Sequence, residues 1–237
     1  DPVWEAGNKN IPGIYIEFKE PWLNPKGFEQ IVYDVLANTQ DMNIIEKPEP
    51  EDTPFYINNG TINVGNTNGK VILQTFSLES LVRVAEVFQG KVPMCFLLWK
   101  GTGATDLTYD DPLGYASFIN LGVKYKAHFI GPCIAGAPND YPELDQPWQD
   151  YLIHRAKMKN HPYTFDTYDQ MAKYFGQYNF GVADGMFNPP YLDALFTNHS
   201  DMSINYMITH GWRKSPASQT LVDAREVLRK LGYLDNN

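Results

Sequence analysis

The feature that most constrains this chain is an alternation. Short runs with strand character recur along it, and each is followed by a stretch with helical period. Ile14, Ile16 and Phe18 alternate with Tyr15, Glu17 and Lys19, the period of two that marks a β-strand. Pro21 stops that strand. Residues 71–76 read as a second strand. Residues 92–99 form a near-continuous apolar run, as expected of a strand covered on both faces. Residues 127–134, 161–165 and 195–198 read as further short strands. Between them, residues 27–38 place Phe28, Ile31, Val32, Val35 and Leu36 on one helical face. Ser77 caps a helix over 78–88 that Gly90 ends. Helices are predicted over 113–121, 148–159 and 167–176, and two more, 201–208 and 218–231, follow the last strand. Strand–helix–strand alternation at this spacing predicts parallel βα units, hence an α/β fold, either open or barrel.

At 237 residues the chain is long enough for a single large core, and one domain over 1–237 is expected. A hydrophobic content of 43% with 14% aromatic residues is that of a globular protein. Two long polar loops interrupt the pattern at 46–69, with room for a small hairpin over 55–64, and at 135–147. Residues 209–237 read as a C-terminal helical extension. The net charge of −9, with no cluster of Lys and Arg, argues against nucleic-acid binding. No apolar run reaches the roughly 18 residues of a membrane span. Cys95 and Cys133 lie in apolar or strand-like settings, match no zinc spacing and read as buried free thiols.

Glu17 and Lys19 project from one face near the end of the first strand. A carboxylate beside an ammonium there can hold a divalent cation and a phosphate oxygen together; it can equally be a surface ion pair worth little. His161 is a candidate acid/base by its titration range, set against a structural role. The other four histidines are scattered and fit no metal spacing.

The run Gly13-Ile14-Tyr15-Ile16-Glu17-Phe18-Lys19-Glu20-Pro21-Trp22 resembles the Glu-Ile-Lys strand of the glycerophosphodiester phosphodiesterases, especially the periplasmic bacterial type. Residues 71–76 resemble that family's next strand. Asn160-His161-Pro162-Tyr163-Thr164-Phe165 resembles its His-Pro-Tyr-Thr strand, and Leu195-Phe196-Thr197-Asn198 with Asp201 resembles its closing Phe-Thr-Asp strand. The four segments stand in the family's order and span residues 8–207.

The resemblance implies a (β/α)8 TIM-like barrel whose N-terminal strands are absent from this chain. In it the site gathers at the C-terminal strand ends. Glu17 takes the place of a metal-ligating carboxylate, for calcium or magnesium. Lys19 takes the place of a catalytic lysine that binds the phosphate. Gln74, Phe76, Tyr163 and Phe196 take substrate-facing positions. The implied reaction is hydrolysis of glycerophosphodiesters to sn-glycerol 3-phosphate and an alcohol, in a periplasmic or secreted protein. The family's His-Arg-Gly, Glu-x-Asp and His-Asp motifs precede the Glu-Ile-Lys strand and do not occur here; the first histidine is His128. The expectation is therefore an incomplete site that holds its cation weakly and gives little turnover alone. The strand 14–18 is expected to be an exposed edge for a second chain or segment, and the alternative is a non-catalytic binding or scaffold protein on the same barrel.

Overall fold

The computed structural model describes residues 14–38, 71–90, 92–99, 111–177, 192–210, 229 and 232–233. The chain divides into two compact units, 1–199 and 200–237. The first unit contains β1 (Ile14–Glu17), α1 (Phe28–Asn38), β2 (Val71–Thr75), α2 (Leu78–Phe88), β3 (Met94–Leu98), α3 (Pro112–Lys124), β4 (Phe129–Pro132), α4 (Pro147–Arg155), β5 (Lys159–Asn160) and α5 (Tyr168–Ala172), which runs on into a π turn, Lys173–Gln177. The second contains α6 (Ser200–Thr209), where the Tyr206 and His210 rings stack at 4.0 Å.

The five strands form one sheet in the order β1-β2-β3-β4-β5, every neighbouring pair parallel. The fold is α/β, as the alternation predicts. One face of the sheet meets the helices. Leu73, Phe96, Leu98 and Ile130 are buried there, and Phe96 stacks on Phe118 of α3 with ring centroids 4.2 Å apart. Burying one such ring fully stabilises the fold by about 1.5–3 kcal/mol. The other face packs Cys95, Leu97 and Phe129 against Tyr15 and Ile72.

That second face curls inward. On a flat sheet β1 and β5 would stand four spacings apart, about 19 Å. Yet the Tyr15 hydroxyl lies 3.1 Å from Nδ1 of His161, one residue beyond β5. The Phe196 ring meets the Tyr15 ring edge-on at 4.8 Å. The sheet must bend through a large arc for these side chains to touch, as the sheet of an α/β barrel does. Gly131 sits inside the arc, where an added Cβ would lie 2.6 Å from a Leu97 methyl and 2.9 Å from the Cys95 sulfur. The curl needs a residue without a side chain at that point. Among the described residues β1 pairs only with β2, so one of its edges carries no strand there.

Several boundaries differ from the predicted ones. The expected strand 161–165 is not a regular strand: β5 covers only Lys159–Asn160, beyond which Tyr163 makes an isolated parallel bridge to Cys133, and the predicted helix 148–159 stops at Arg155. Lys157 takes a left-handed φ of 63° between them, and Asn160 is drawn into a buried polar cluster. Residues 195–198 are not a regular strand, although Phe196 bonds both Pro162 O and the Phe165 amide. Helix α1 is rotated relative to the predicted face. Ile31 and Val35 are 56% and 60% exposed, while Glu29 and Leu36 are buried. The cause lies on α2, where Arg83 stands 3.8 Å from the Glu29 carboxylate and Phe88 meets Tyr33 edge-on at 5.3 Å. Helix α2 does start at Ser77, whose hydroxyl accepts from the Ser80 amide, and it leaves through left-handed Gln89 and Gly90. Cys95 and Cys133 are buried free thiols. The predicted loop 46–69 and most of the predicted helix 218–231 lie outside the described residues.

Candidate functional site

The site is built from the ends of the strands. Phe18 is buried against Phe28 and Phe88 and continues the ladder through its amide to Gln74 O, 2.8 Å. Thr75 donates from its hydroxyl to Phe18 O at 2.8 Å and accepts the Ser77 amide at 3.1 Å. These bonds fix the β1 and β2 ends side by side. With Phe18 locked into the helix-side core, the alternation of the strand turns Glu17 to the inner face. Lys19 lies just past the end, and its ammonium is 2.9 Å from the Glu17 carboxylate. The carboxylate is 20% exposed and the ammonium side chain 75%, so the pair spans the cavity wall and solvent. The chain then turns at Pro21, held by Asn24 bonding Lys19 O and by Arg83 reaching Pro21 O.

Two adjoining cavities open at these strand ends. The larger, about 520 Å³, is lined by Glu17, Lys19, Glu20, Phe76, Tyr163 and further aromatic side chains. The smaller, about 270 Å³, is lined by Glu17, Gln74, Phe76, Tyr163, Phe196 and Asn198, among others. Glu17, Lys19, Gln74, Phe76, Tyr163 and Phe196 thus each face at least one of the two cavities, and the acid/base candidate His161 faces neither. Glu17, Phe76 and Tyr163 face both. The Gln74 amide oxygen is buried and has no hydrogen-bond partner among the described residues, an open acceptor beside the Glu17 carboxylate.

Three wall residues were not singled out. Trp22, Trp99 and Tyr141 line the larger cavity. Trp99 follows β3 directly and Trp22 follows the β1 terminator, so strand-end position was the signal available for both. Tyr141 had none. It sits in the predicted loop 135–147, which is pinned in place: Leu144 bonds Cys133 O, Tyr115 bonds Leu144 O, Asn139 bonds Thr164 O at 2.7 Å, and Lys173 meets Glu143 at 2.6 Å.

No histidine lines either cavity. His161 lies beneath them, stacked on Phe129 at 4.0 Å, and burial lowers its pKa to about 4. It is a neutral ring hydrogen-bonded to the Tyr15 hydroxyl. His128 accepts the Met94 amide at 3.0 Å, and burial lowers it to about 3. His154 behaves differently. Burial opposes its charge, but hydrogen bonds to Asp150 and Asp193, the latter 2.7 Å away, hold it up at about 10. Asp193 is likewise disfavoured by burial and still held down to about 2 by His154, the Asn160 amide and Lys159. Burial pushes both cysteine thiols up to about 12, so neither is a nucleophile at neutral pH.

The donor set does not make a cation cage. Among the described residues no three metal-ligating side chains converge. Glu17 is already engaged by Lys19, Glu20 adds one more carboxylate at the larger cavity, and the Gln74 oxygen adds a neutral donor at the smaller. Calcium takes six to eight oxygens. Among the described residues no helix is long and apolar enough to cross a membrane. No family model matches the chain, and no curated protein is significantly similar to it.

Proposed function

We propose that the paired cavities bind a phosphodiester of glycerol, and that the complete protein hydrolyses it to sn-glycerol 3-phosphate and an alcohol. The observation that carries this reading is the Glu17–Lys19 pair, 2.9 Å apart, on the wall of an aromatic cavity in an otherwise acidic chain. The curled sheet is then barrel-like, with its site at the strand ends. Lys19 supplies the positive centre. Its exposed ammonium meets a phosphate oxygen and balances charge that grows on the phosphoryl group in the transition state. Glu17 holds the ammonium at the cavity wall. Gln74 accepts a glycerol hydroxyl through its unpartnered oxygen, and Phe76, Tyr163 and Phe196 enclose the carbon skeleton. A divalent cation would add electrophilic catalysis in the complete protein, but the described donors do not cage one, and no step here depends on it.

Proton transfer to the leaving alkoxide needs a positioned acid. Neither cavity is lined by a histidine, so among the described residues no imidazole is placed to supply it. The same observation favours a second reading, a non-catalytic binding protein. Calorimetric titration with sn-glycerol 3-phosphate tests the shared binding step. Lys19→Ala should weaken binding by about 10- to 100-fold, the worth of a charge-assisted hydrogen bond. An unchanged affinity rejects the role of Lys19. Phosphorus NMR of glycerophosphocholine with the complete protein separates the readings, because only the enzyme produces the monoester signal.

A further inference from the structure

We propose that Thr75 is a positioning residue of the site: its buried hydroxyl sets the place from which Lys19 reaches the larger cavity. This rests on the reading that Lys19 holds the phosphate, and it names what holds Lys19.

Lys19 needs such a support. Its side chain is 75% exposed, and the Glu17 carboxylate is the partner that meets its ammonium. A lysine stem is flexible, so its reach depends on where its backbone stands and on that ion pair. The regular ladder does little for it there. β1 ends at Glu17 and β2 at Thr75, and the Phe18 amide adds one more rung to Gln74 O. Beyond that rung the two chains part. One turns at Pro21, and the other enters α2 through its cap, Ser77.

Thr75 bridges the point of parting. It is fully buried, and its hydroxyl donates to Phe18 O at 2.8 Å and accepts the Ser77 amide at 3.1 Å. The Phe18 carbonyl shares a rigid peptide plane with the Lys19 nitrogen, so the first bond fixes the direction in which Lys19 leaves the strand. The second bond holds the residue after Phe76. Phe18, Lys19, Phe76 and Ser77 all line the larger cavity. One hydroxyl therefore sets the gap between the wall that carries Lys19 and the wall that carries Phe76. The far side of the Lys19 turn is held separately, by Asn24 bonding Lys19 O at 3.1 Å and Arg83 bonding Pro21 O at 3.4 Å.

The residue type points the same way. Thr75 stands in register with Phe96, which is also fully buried. Valine has the shape of threonine and would suit such a position by burial alone. A hydroxyl there loses its water, and that cost is offset by its hydrogen bonds. Both bonds fall on backbone groups of the cavity wall.

The test compares Thr75→Val, which keeps the shape and removes the hydroxyl, with Thr75→Ser, which keeps the hydroxyl. The first readout needs no ligand. It is the Lys19 side-chain signals in heteronuclear NMR, assigned by their loss in Lys19→Ala and calibrated against Glu17→Gln, where the ion pair is broken. In Thr75→Val these signals should move toward their Glu17→Gln positions, and in Thr75→Ser they should stay with the parent. The second readout is calorimetric titration with sn-glycerol 3-phosphate. Thr75→Val should weaken binding by about 3- to 30-fold, and Thr75→Ser should stay within about twofold of the parent. A role confined to stability would lower the melting temperature of Thr75→Val and move neither readout. That result overturns the inference, as does a Thr75→Ser chain that behaves like Thr75→Val. If the parent binds through Lys19 and Thr75→Val binds equally well, or binds more weakly with unmoved Lys19 signals, the positioning inference fails and the phosphate reading stands. If the parent does not bind and the Lys19 signals of Thr75→Val still move, the positioning inference stands and the phosphate reading fails. Should Thr75→Val not fold, Thr75→Cys, whose thiol donates only weakly, takes its place with the same two expectations.

Discussion

Replacing Asn160 by alanine removes a side chain that bridges two buried carboxylates. The Asn160 amide nitrogen donates to Asp145 Oδ1 and to Asp150 Oδ1, each at 2.8 Å, and all three residues are fully buried. A hydrogen bond to a charged acceptor contributes about 1.5–3 kcal/mol. Losing two at one site, and leaving the acceptors buried, should cost about 3–5 kcal/mol of stability. That is a large part of the roughly 5–15 kcal/mol that holds a domain together, yet it leaves a folded state to measure. The cost should depend on pH. Burial raises the pKa of both aspartates, and Asn160 opposes the rise. Removing Asn160 lifts them further. A group whose folded pKa is raised binds more protons folded than unfolded, so stability falls as pH climbs above its unfolded value of about 3.9. Asn160→Ala should therefore lose more at pH 7 than at pH 4, where a protonated carboxyl can donate to its neighbour. Urea unfolding of both proteins at the two pH values measures this. A loss below about 1 kcal/mol, or one equal at both pH values, would refute the argument that hydrogen bonds from Asn160 stabilise the charged form of the pair.

Gly131→Ala should destabilise the chain by about 1–3 kcal/mol through overpacking, because its methyl would press on Leu97, Cys95 and the His161 carbonyl; a melting temperature equal to that of the parent would show that the curl has slack. The His154–Asp193 pair should give a plateau of stability between about pH 4 and 6.5, set by the unfolded values. Stability from Asp193 is lost as pH falls toward about 2, and that from His154 as pH rises toward about 10, so His154→Gln should flatten the alkaline limb of a melting-temperature profile. Tyr15→Phe deletes the bond that ties β1 to His161 and should cost about 1 kcal/mol in denaturant titration, with no change in the far-UV spectrum.

The sequence by itself determined the α/β class, because period two and period 3.6 are local properties of neighbouring residues. It also placed Glu17, Lys19, Gln74 and Phe76 near strand ends, since Pro21 and the Ser77 cap mark where β1 and β2 stop. Those strand ends are what brings them to one mouth. Other features were decided only in three dimensions. Ile31 and Val35 look like core on a helical wheel, yet the Glu29–Arg83 contact and the Tyr33–Phe88 packing set the rotation of α1. Asn160 reads as an ordinary polar residue before His-Pro, and its place between Asp145 and Asp150 depends on partners 15 and 10 residues away on another turn of chain. Tyr141 became a cavity wall through the docking of residues 135–147 onto the strand ends, a contact with no period to betray it. The curl itself rests on Tyr15 reaching His161 across 146 residues and on the missing side chain of Gly131. Local pattern fixes which residues can face a cavity; long-range packing decides how far the sheet bends and which of them meet there.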